Sequence, residues 1–471
     1  MSDELCFTPA TTLAAMVRAK EVSARELLDA HLDRIERVNP QVNAIVTLDA
    51  DDARRRAEAA DELTARGTTT GPLHGLPVAH KDTHLTGGMR TTWGSPLKAG
   101  FVPQEDELVV ARLRDAGAVR VGKTNTPEYA AGSHTFNPVF GVTRNPYALD
   151  RSAGGSSGGS AAALAAGLVP VADGSDMGGS LRNPAAFCNV VGLRPSPGRV
   201  PSHPTLMAWA NLSVQGPMGR TVADVALSLS AMAGPDRRVP ISLDDPGEVF
   251  ARPLAEDLRG LTVGWSPDLG GRVPMDADVR DVVQRQAEVL EALGARVVED
   301  CPDLDGADEV FTTLRALQFV TAYGDVVRSH PDQVKQAIHW NVDVGRKLTA
   351  ADVGRAEALR TKLFERIVAF FDRCDVLLCA TTQVAPFDVE QEYPAEVGGQ
   401  VQEDYLQWMR SCTIVSATTC PALSVPAGFT PDGLPVGLQV VGPPRGDLRV
   451  LDVGHAFEQA TQYGQRRPPL P

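Results

Sequence analysis

The sequence has few of the features that mark membrane-bound or secreted proteins. Only 5% of its 471 residues are aromatic, and its longest apolar tract, 161–172, is Ala-rich and interrupted by Gly167 and Pro170. Such a tract is too short to cross a bilayer. No basic segment followed by an apolar one stands near the first residue, so no secretory signal is predicted. We expect a cytoplasmic protein with no membrane partner.

Cysteine pairs and an excess of positive charge are also missing. The 7 cysteines are widely spaced and include no Cys-x-x-Cys pair, which argues against a disulfide framework or a zinc site. The 45 Lys and Arg residues are outnumbered by 59 Asp and Glu residues, for a net charge of −14. Because nucleic-acid binding depends on cations that neutralise phosphates, we expect no nucleic-acid partner.

The sequence does contain a regular alternation of strand and helix patterns. Ser23 and Glu26 fit a capping box, and apolar residues then recur at helical spacing as far as Val38. No low-complexity linker divides the chain. The alternation is typical of α/β proteins, and we predict one large domain over residues 1–471. The predicted strands are 76–79, 118–121, 168–172, 261–265, 376–379, 422–426 and 436–440, and the predicted helices include 108–116, 160–166 and 279–293.

Two segments rich in glycine and serine, 152–160 and 173–185, are the most informative part of the chain. A flexible linker is one interpretation of the first segment, but linkers lie between domains and this one lies inside the strand–helix alternation. A nucleophile elbow is another interpretation, since residues 154–158 fit Gly-x-Ser-x-Gly. Such an elbow follows an apolar strand, whereas residues 144–151 have the composition of a loop.

A third interpretation treats the two segments as one catalytic site. Paired glycines let the backbone approach a ligand closely. The Met-Gly-Gly-Ser run at 177–180 is predicted to open a helix, where main-chain N–H groups lack intrahelical partners and can stabilise an oxyanion. A serine among those donors can attack the carbonyl whose oxygen they hold, provided that a base takes its proton.

At these residues the chain resembles the amidase signature family. The resemblance covers nearly the whole chain, and the spacing of Ser156 and Ser180 fits the family pattern. It implies hydrolysis of a C–N bond and an α/β fold in which helices flank both faces of a central mixed β-sheet, with a signature core at about 72–220. Besides the two glycine–serine segments, the matching segments are 75–82, 122–128, 191–196 and 433–439.

The resemblance also implies a role for individual residues. Ser180 takes the position of the nucleophile, Lys81 that of the terminal base, and Ser156 that of a bridging serine. The family pattern places a cis peptide bond before the bridging serine, here between Gly155 and Ser156. The residues implied for the oxyanion hole are Met177, Gly178, Gly179 and Ser180, and those implied to support their loop are Ser175 and Asp176.

The implied chemistry is consistent on physical grounds. Lys81 can accept a proton only if its pKa lies far below the reference value of about 10.4, and burial can lower a lysine pKa by several units. Ser156 would pass the proton of Ser180 to Lys81 and return it to the leaving nitrogen, since amines leave poorly unless protonated. Water would then hydrolyse the acyl-enzyme through the same relay, without a metal or any other cofactor.

One motif indicates a different class of protein. Residues 117–124 match the P-loop pattern Gly-x-x-x-x-Gly-Lys-Thr, which is typical of NTPases. However, Val119 and Val121 alternate as in a strand, at positions where a P-loop has a phosphate-binding loop. No apolar strand ending in Asp stands out as a partner for the motif. We therefore prefer the amidase interpretation.

The sequence says less about the acyl compound. The family spans simple amides, anilides, fatty amides, carbamates and the A subunit of a tRNA-dependent amidotransferase. Met177 and Asn183 stand where we expect Thr and Gln in that subunit, which argues against this alternative. No cationic clamp for a carboxylate is evident, so we expect a neutral, apolar or aryl amide, anilide or carbamate as the small-molecule partner.

Candidate pocket residues come from the apolar and aromatic positions near the core. Residues 202–214 follow the second glycine–serine segment and could form a lid. A homodimer is an expectation that follows from the family resemblance alone. The residues predicted for the pocket are Tyr129, Phe136, Met207, Trp209, Ile338 and Trp340.

Overall fold

The computed structural model describes residues 2–471 and contains a central β-sheet of 11 strands. Six short strands pair outside it as small ladders: β4 with β5, β6 with β7 and β14 with β15. The strands in chain order are β1 (Ile45–Leu48), β2 (Pro77–Lys81), β3 (Val119–Thr124), β4 (Phe136–Asn137), β5 (Gly141–Val142), β6 (Arg144–Asn145), β7 (Ala148–Ser152), β8 (Val171–Asp176), β9 (Val191–Arg194), β10 (Val214–Gly219), β11 (Thr262–Trp265), β12 (Arg296–Glu299), β13 (Val376–Ala380), β14 (Glu396–Val397), β15 (Gln400–Val401), β16 (Ala422–Phe429) and β17 (Pro435–Val441).

The central sheet is mixed and takes strands from both halves of the chain. Its order is β1-β3-β2-β8-β10-β9-β16-β17-β13-β11-β12. Strand β2 is parallel to β3 and β8, and β11 is parallel to β12 and β13. The other neighbouring strands are antiparallel. The predicted α/β class is confirmed, while the limits of the domain stay a prediction.

Fifteen α-helices accompany the sheet within residues 2–471. None of them is both long and apolar enough to cross a membrane. They are α1 (Ser2–Phe7), α2 (Ala10–Ala19), α3 (Ala24–Val42), α4 (Ala50–Ala65), α5 (Leu108–Asp115), α6 (Gly158–Ala165), α7 (Arg182–Phe187), α8 (Val222–Met232), α9 (Ala277–Gln284), α10 (Gln286–Ala292), α11 (Ala307–Ser329), α12 (Gln336–Lys347), α13 (Ala350–Phe371), α14 (Arg410–Ala417) and α15 (Asp447–Thr461).

Helices cover both faces of the sheet. Successive residues of a strand point to opposite faces, and Val78 and Ala79 of β2 accordingly belong to different apolar clusters. Helices α2, α5, α8, α9 and α15 pack in the cluster that contains Val78. Helices α3, α4, α6 and α7 cover the face of Ala79, and α11, α13 and α14 continue that face beside Leu377 and Cys379 of β13.

Three predicted elements differ from those observed. Strand β8 starts later than predicted and runs on through the polar residues 173–176, because these pair with β10. Helix α7 begins at Arg182, so residues 177–180 form a turn before the helix and do not open it. The helix predicted over 279–293 is two helices, α9 and α10, that meet at Arg285.

The P-loop interpretation is wrong. Residues 119–124 form β3, which is paired on one edge with β1 and on the other with β2. The Lys123 side chain is fully buried and donates to Thr86 Oγ1 at 2.8 Å and to the main-chain oxygen of His84. A strand in mid-sheet offers no free main-chain N–H groups for a phosphate.

The first turn of α6 lies directly against the end of β3. Gly159 N–H donates to the main-chain oxygen of Asn125 at 3.2 Å. A Cβ atom at residue 159 would lie only 2.2 Å from Asn125 N, a backbone atom that cannot move aside without disturbing the sheet. Glycine at position 159 is therefore required for the start of α6 to lie this close to the end of β3.

We expect Gly159→Ala to lower the free energy of unfolding by about 3 kcal/mol or more, the upper end of the cost of overpacking a core. Urea-induced unfolding measures this change. Gly354→Ala is the matched control, because residue 354 lies inside α13 and a Cβ atom there would meet nothing within 4 Å. That control should gain about 0.5–1 kcal/mol from the higher helix propensity of alanine. Equal effects of the two substitutions would contradict the close contact.

Candidate active site

Lys81 ends β2 and is completely buried. Its main-chain N–H donates to Asp173 Oδ1 at 2.8 Å, which extends the contact between β2 and β8 beyond their ladder. Its amine donates to Ser156 Oγ at 2.6 Å, to Ser157 Oγ at 3.0 Å and to Ser175 Oγ at 3.1 Å. The hydrogen-bond partners of the amine are thus three hydroxyl groups, which leave its charge without a directly bonded anion.

The burial of Lys81 changes its protonation. Loss of water around the amine lowers the pKa of Lys81 from 10.5 to about 7. The charges of Asp176 and Asp173 raise this pKa, but they do not offset the loss of hydration. A large fraction of Lys81 is therefore a neutral amine at neutral pH, and a neutral amine can accept a proton from a hydroxyl group.

Asp173 holds the end of β2 in place from β8. His80 Nδ1 lies 2.5 Å from Asp173 Oδ2, and His84 Nδ1 lies 3.0 Å from Asp173 Oδ1. Burial raises the pKa of Asp173, but the neighbouring His84 and His80 outweigh burial and hold this pKa well below its usual range. The ionised carboxylate can therefore accept the main-chain N–H of Lys81 and fix the direction of its side chain.

The turn between β7 and α6 brings Ser156 and Ser157 to the lysine. The Gly155–Ser156 peptide bond is cis, as the family resemblance implied. Ser133 Oγ donates to the main-chain oxygen of Gly155 at 2.7 Å. Ser157 N–H donates to the main-chain oxygen of Ser180 at 3.1 Å, so this turn and the turn that carries Ser180 are held directly to each other.

Asp176 organises the turn that carries Ser180. Its buried carboxylate accepts the N–H groups of Gly179 at 2.8 Å and Leu181 at 3.1 Å. It also accepts Arg182 Nε at 3.0 Å, Arg182 Nη2 at 2.9 Å and Arg194 Nη1 at 3.2 Å. Burial raises the pKa of Asp176, but the charges of Arg182 and Arg194 outweigh burial and hold it well below its usual range. The carboxylate is therefore ionised, and it holds the turn through hydrogen bonds on either side of Ser180.

The geometry corrects the oxyanion hole that the resemblance implied. The N–H group of Gly179 donates to Asp176 Oδ1 and is not available to a ligand. The N–H groups of Met177, Gly178 and Ser180 have no acceptor within residues 2–471. Ser180 is 9% exposed and faces a cavity together with Met177 and Gly178. The free donors at this turn are thus three and not four.

The cavity in front of Ser180 has a volume of about 260 Å³. Ser156, Ser175 and Ser180 form its polar end, and apolar or aromatic side chains form most of its remaining wall. Residues from the segment 202–214 and from α11 form part of this wall. The main apolar and aromatic lining residues are Trp93, Tyr129, Met207, Phe319, Tyr323 and Met409.

Two of the predicted pocket residues, Tyr129 and Met207, line this cavity. The prediction for Trp209 is wrong, because its side chain is 77% exposed and does not reach the cavity. Met207 and Ser213 face inward from the segment 202–214, which leaves residue 209 on the outer side of that segment. Whether the segment opens as a lid stays a prediction.

The other three predicted pocket residues also lie outside the cavity. Phe136 is half-buried, and the Lys335 amine lies 4.1 Å from the centre of its ring. Ile338 is fully buried in the apolar cluster that packs behind Tyr129. Trp340 borders a different cavity. The residue types showed that these side chains are apolar or aromatic, but the sequence could not show against which part of the protein each of them packs.

Several residues of the site carried no prediction, and three of them have polar side chains that bear on its chemistry. Ser157 contacts the Lys81 amine, and Arg315 and Tyr405 line the cavity. Arg315 thus places one cationic side chain in the cavity wall, whereas the expectation that no cationic clamp for a carboxylate is present stays a prediction. The sequence signal for Arg315 was its position between Leu314 and Phe319, two apolar residues of α11. Both of these side chains are buried in the structure, and the arginine is buried with them.

Replacing Asp176 with Asn tests the support of the Ser180 turn. Because two buried arginines would lose their anionic partner, we expect a loss of about 3–5 kcal/mol in the free energy of unfolding. The loss should shrink below about pH 4, since a carboxylate with a lowered pKa stabilises the fold only where it is ionised in the unfolded chain. Thermal and urea unfolding measure both effects.

Asp257→Asn is the control for the Asp176 substitution. Asp257 pairs with Arg259 at 2.7 Å, but the two side chains are 46% and 81% exposed. Exposed ion pairs contribute little to stability, so this control should unfold like the wild type. A similar stability of both variants and the wild type would show that the buried carboxylate does not hold the turn.

Comparisons with known proteins support a single assignment. The family model named Amidase matches residues 26–451. An acylamidase of Rhodococcus erythropolis is 37% identical over 464 residues, which cover 98% of this chain and 96% of that protein. The A subunit of a glutamyl-tRNA(Gln) amidotransferase from Synechococcus sp. (strain CC9605) is 38% identical over 480 residues, which cover 96% of each chain.

A solved structure extends the likeness to the fold. The crystal structure of a bacterial aryl acylamidase of the amidase signature family matches with a TM-score of 0.90 and 30% identity over 99% of both chains. The matched region contains the complete central sheet and the buried lysine among its three serines. The chain therefore belongs to the amidase signature family, whose members are hydrolases of carbon–nitrogen bonds.

Proposed function

We propose that the protein hydrolyses a neutral amide, anilide or carbamate with an apolar or aryl group, through an acyl-enzyme on Ser180. One observation carries this proposal. The buried amine of Lys81, with its pKa lowered to about 7, lies 2.6 Å from the Ser156 hydroxyl at the polar end of the cavity that Ser180 faces. A neutral amine in this position is a base for a serine nucleophile.

Proton transfer begins at the Ser180 hydroxyl. No hydrogen bond joins Ser180 Oγ to Ser156 Oγ within residues 2–471, so the Ser180 side chain has to rotate toward Ser156 when substrate binds. Catalytic hydrogen bonds often tighten only in the complex with substrate. Ser156 then takes the proton of Ser180 as its own proton passes to Lys81 Nζ, and Ser180 Oγ forms a bond to the carbonyl carbon.

The developing oxyanion needs donors that are free before substrate binds. The N–H groups of Met177, Gly178 and Ser180 are in that state, and Asp176 keeps the turn in one arrangement. Preorganised donors of this kind stabilise the tetrahedral intermediate without a cost of reorganisation. These three N–H groups are the oxyanion hole of the proposed reaction.

Collapse of the intermediate breaks the C–N bond. The leaving nitrogen takes the proton of Ser156, and Lys81 returns a proton to Ser156 in the same step. The amine product leaves an ester between Ser180 and the acyl group. A water molecule then attacks this ester and gives its proton to the same relay, which releases the acid and restores Ser180. For a carbamate cleaved at its C–N bond, the acid is a carbonic monoester, which loses carbon dioxide to leave an alcohol.

The cavity walls support an apolar or aryl group on the substrate. Trp93, Tyr129, Phe319 and Tyr323 present aromatic surface, and burial of such surface favours apolar ligands. The acylamidase of Rhodococcus erythropolis and the bacterial aryl acylamidase are similar to this chain over nearly their full lengths. The names of these two proteins agree with an amide whose acyl or amine part is apolar.

The A subunit of a tRNA-dependent amidotransferase remains the second candidate. Relatives with that name are as similar to the chain as the acylamidase is, at 38% and 37% identity, so overall identity does not separate the two functions. The two make different demands, because the amidotransferase component delivers ammonia to a partner whereas an amidase works alone. Turnover of anilides by the isolated chain favours the amidase, and turnover of glutamine that requires a partner protein favours the alternative.

Ser180→Ala should reduce hydrolysis of 4-nitroacetanilide by about ten-thousandfold or more, since no other group forms the acyl-enzyme. Lys81→Ala and Ser156→Ala should each lower kcat by orders of magnitude, because they interrupt the relay. Release of 4-nitroaniline measures kcat and KM, and Ser329→Ala, at the exposed end of α11, is the control. Activity of Ser180→Ala and Lys81→Ala within a few-fold of wild type would contradict the relay, as would fluorophosphonate labelling at a residue other than Ser180.

The lowered pKa of Lys81 predicts a pH dependence. The relay needs the neutral amine, so kcat/KM should fall about tenfold per pH unit below about 7 and level off above it. Initial rates between about pH 5 and pH 9 measure this limb, with tryptophan fluorescence as a check that the fold is unchanged. Equal kcat/KM at about pH 6 and pH 8 would contradict Lys81 as the base.

A panel of acyl compounds tests the substrate class. We expect anilides and aryl carbamates to be hydrolysed with higher kcat/KM than the primary amides of dicarboxylic or amino acids, since the cavity wall is mainly aromatic and aliphatic. Release of the amine measures each rate under the same conditions. A clear preference for amino-acid or dicarboxylic amides would contradict this part of the proposal without touching the relay.

A further inference from the structure

Helix α11 presents one face to the cavity. Arg315, Phe319, Ala322 and Tyr323 line the wall at a spacing that places them on one side of the helix. Three of these side chains are apolar or aromatic. Arg315 is the exception, and it is only 5% exposed. A charged side chain this deeply buried in a substrate cavity is costly unless it has a partner.

The protein supplies only neutral partners to Arg315. Its Nε donates to Asn341 Oδ1 at 3.2 Å, its Nη1 to Met177 Sδ at 3.1 Å and its Nη2 to Tyr405 Oη at 2.6 Å. The guanidinium carbon also lies 4.3 Å from the centre of the Phe319 ring. No carboxylate of residues 2–471 forms an ion pair with it. Each Nη carries another N–H group that these contacts leave free.

Tyr405 adds a further free donor beside Arg315. Its hydroxyl oxygen accepts Arg315 Nη2 at 2.6 Å and Asn341 Nδ2 at 2.7 Å. With both hydrogen bonds accepted, the hydroxyl can only donate its own proton elsewhere. No acceptor within residues 2–471 receives it, and Tyr405 is a cavity-lining residue that is 6% exposed.

We infer that Arg315 and Tyr405 form a donor subsite that binds an oxygen acceptor of the substrate, separate from the carbonyl that Ser180 attacks. The reacting carbonyl oxygen has its own donors at Met177, Gly178 and Ser180. The free protons at Arg315 and Tyr405 therefore need a different acceptor. A second carbonyl or a carboxylate supplies lone pairs that suit this cluster.

The subsite rests on the proposed amide hydrolysis and makes its substrate class narrower. The apolar wall alone accepts any group of suitable size, whereas a buried cation without an anion discriminates strongly against a group that leaves it unpaired. The preferred substrate is therefore an amide, anilide or carbamate that carries a further oxygen acceptor at a distance from its scissile bond. A plain alkyl or aryl amide is the poorer substrate.

Pairs of substrates that differ only in this acceptor test the subsite. On the acyl side, the pentanoyl anilide is compared with the anilides of glutaric acid and of its monomethyl ester, none of which carries a nitro group that would itself supply oxygen acceptors. On the amine side, 4-methylacetanilide is compared with 4-acetamidobenzamide. In at least one series the acceptor should raise kcat/KM by about tenfold or more, the size expected for a hydrogen bond to a buried charge.

Arg315→Met and Tyr405→Phe should each remove most of that gain, measured as the ratio of kcat/KM within a pair of substrates. Arg315→Lys should restore part of the gain, because an ammonium group still donates. Arg328→Met is the control from the same helix, since Arg328 lies at an exposed position and pairs with Asp325 at 2.8 Å. This control should keep the full preference for the acceptor.

Two outcomes would overturn the inference. Absence of any preference for the acceptor in both series is the first. An equal loss on both members of a pair in Arg315→Met is the second, because it would mean that Arg315 only positions Met177. A gain with the free acid but not with the methyl ester keeps the subsite and overturns the neutral substrate of the proposed function.

A binding measurement tests the subsite independently of the reaction. Calorimetry with the Ser180→Ala protein compares the dissociation constants of the pentanoyl and methyl glutaryl anilides without turnover. If the ester binds more tightly than the pentanoyl anilide, and this difference disappears in Ser180→Ala/Arg315→Met, the subsite is supported. That conclusion holds even if the wild type cleaves neither anilide, a result that would contradict only the proposed function. If the two members of each pair bind equally well, on the acyl side and on the amine side, the subsite is contradicted and the proposed function is not.

Discussion

Removal of the Lys81 amine from water is the constraint on which the rest of the site depends. Lys81 is the last residue of β2, a strand in the interior of the sheet, and its amine donates hydrogen bonds to three hydroxyl groups. Loss of hydration lowers its pKa to about 7 in spite of two carboxylates that act in the opposite direction. The charges of Asp176 and Asp173 favour the ammonium form, so the position of the amine relative to these two carboxylates affects its protonation.

The two buried carboxylates hold different parts of the site. Asp173 holds the main chain of Lys81, whereas Asp176 holds the turn of Ser180 through two N–H groups and two arginines. Both are residues of β8, a strand that lies next to β2 in the sheet. Lys81, its support and the turn that carries Ser180 are therefore joined through two neighbouring strands of one sheet. The free N–H groups at residues 177, 178 and 180 follow from the same arrangement.

The α/β class could be predicted from the sequence, because strand–helix alternation is a local pattern. The family resemblance implied that Lys81 and Ser156 belong to one site, and the structure places these two residues in contact. Other interactions between distant segments could not be predicted. Gly179 loses its place in the oxyanion hole to a side chain of the preceding strand, and only the folded turn reveals this. Trp209 has the composition of a pocket residue, but a segment without regular structure leaves it in solvent. Arg315 becomes a cavity residue only once α11 packs beside Met177 in the folded chain.

The proposed proton relay and the cavity wall lie largely on different elements, and this separation has an evolutionary consequence. Lys81, Ser156 and Ser180 depend on β2, β8 and the turns beside them, whereas α11 and the segment 202–214 supply much of the surface that meets the substrate. Selection can therefore exchange wall residues one at a time without disturbing proton transfer. Divergence of substrate range at constant mechanism is the expected history of such a scaffold, and the helix is where new specificities would be engineered first.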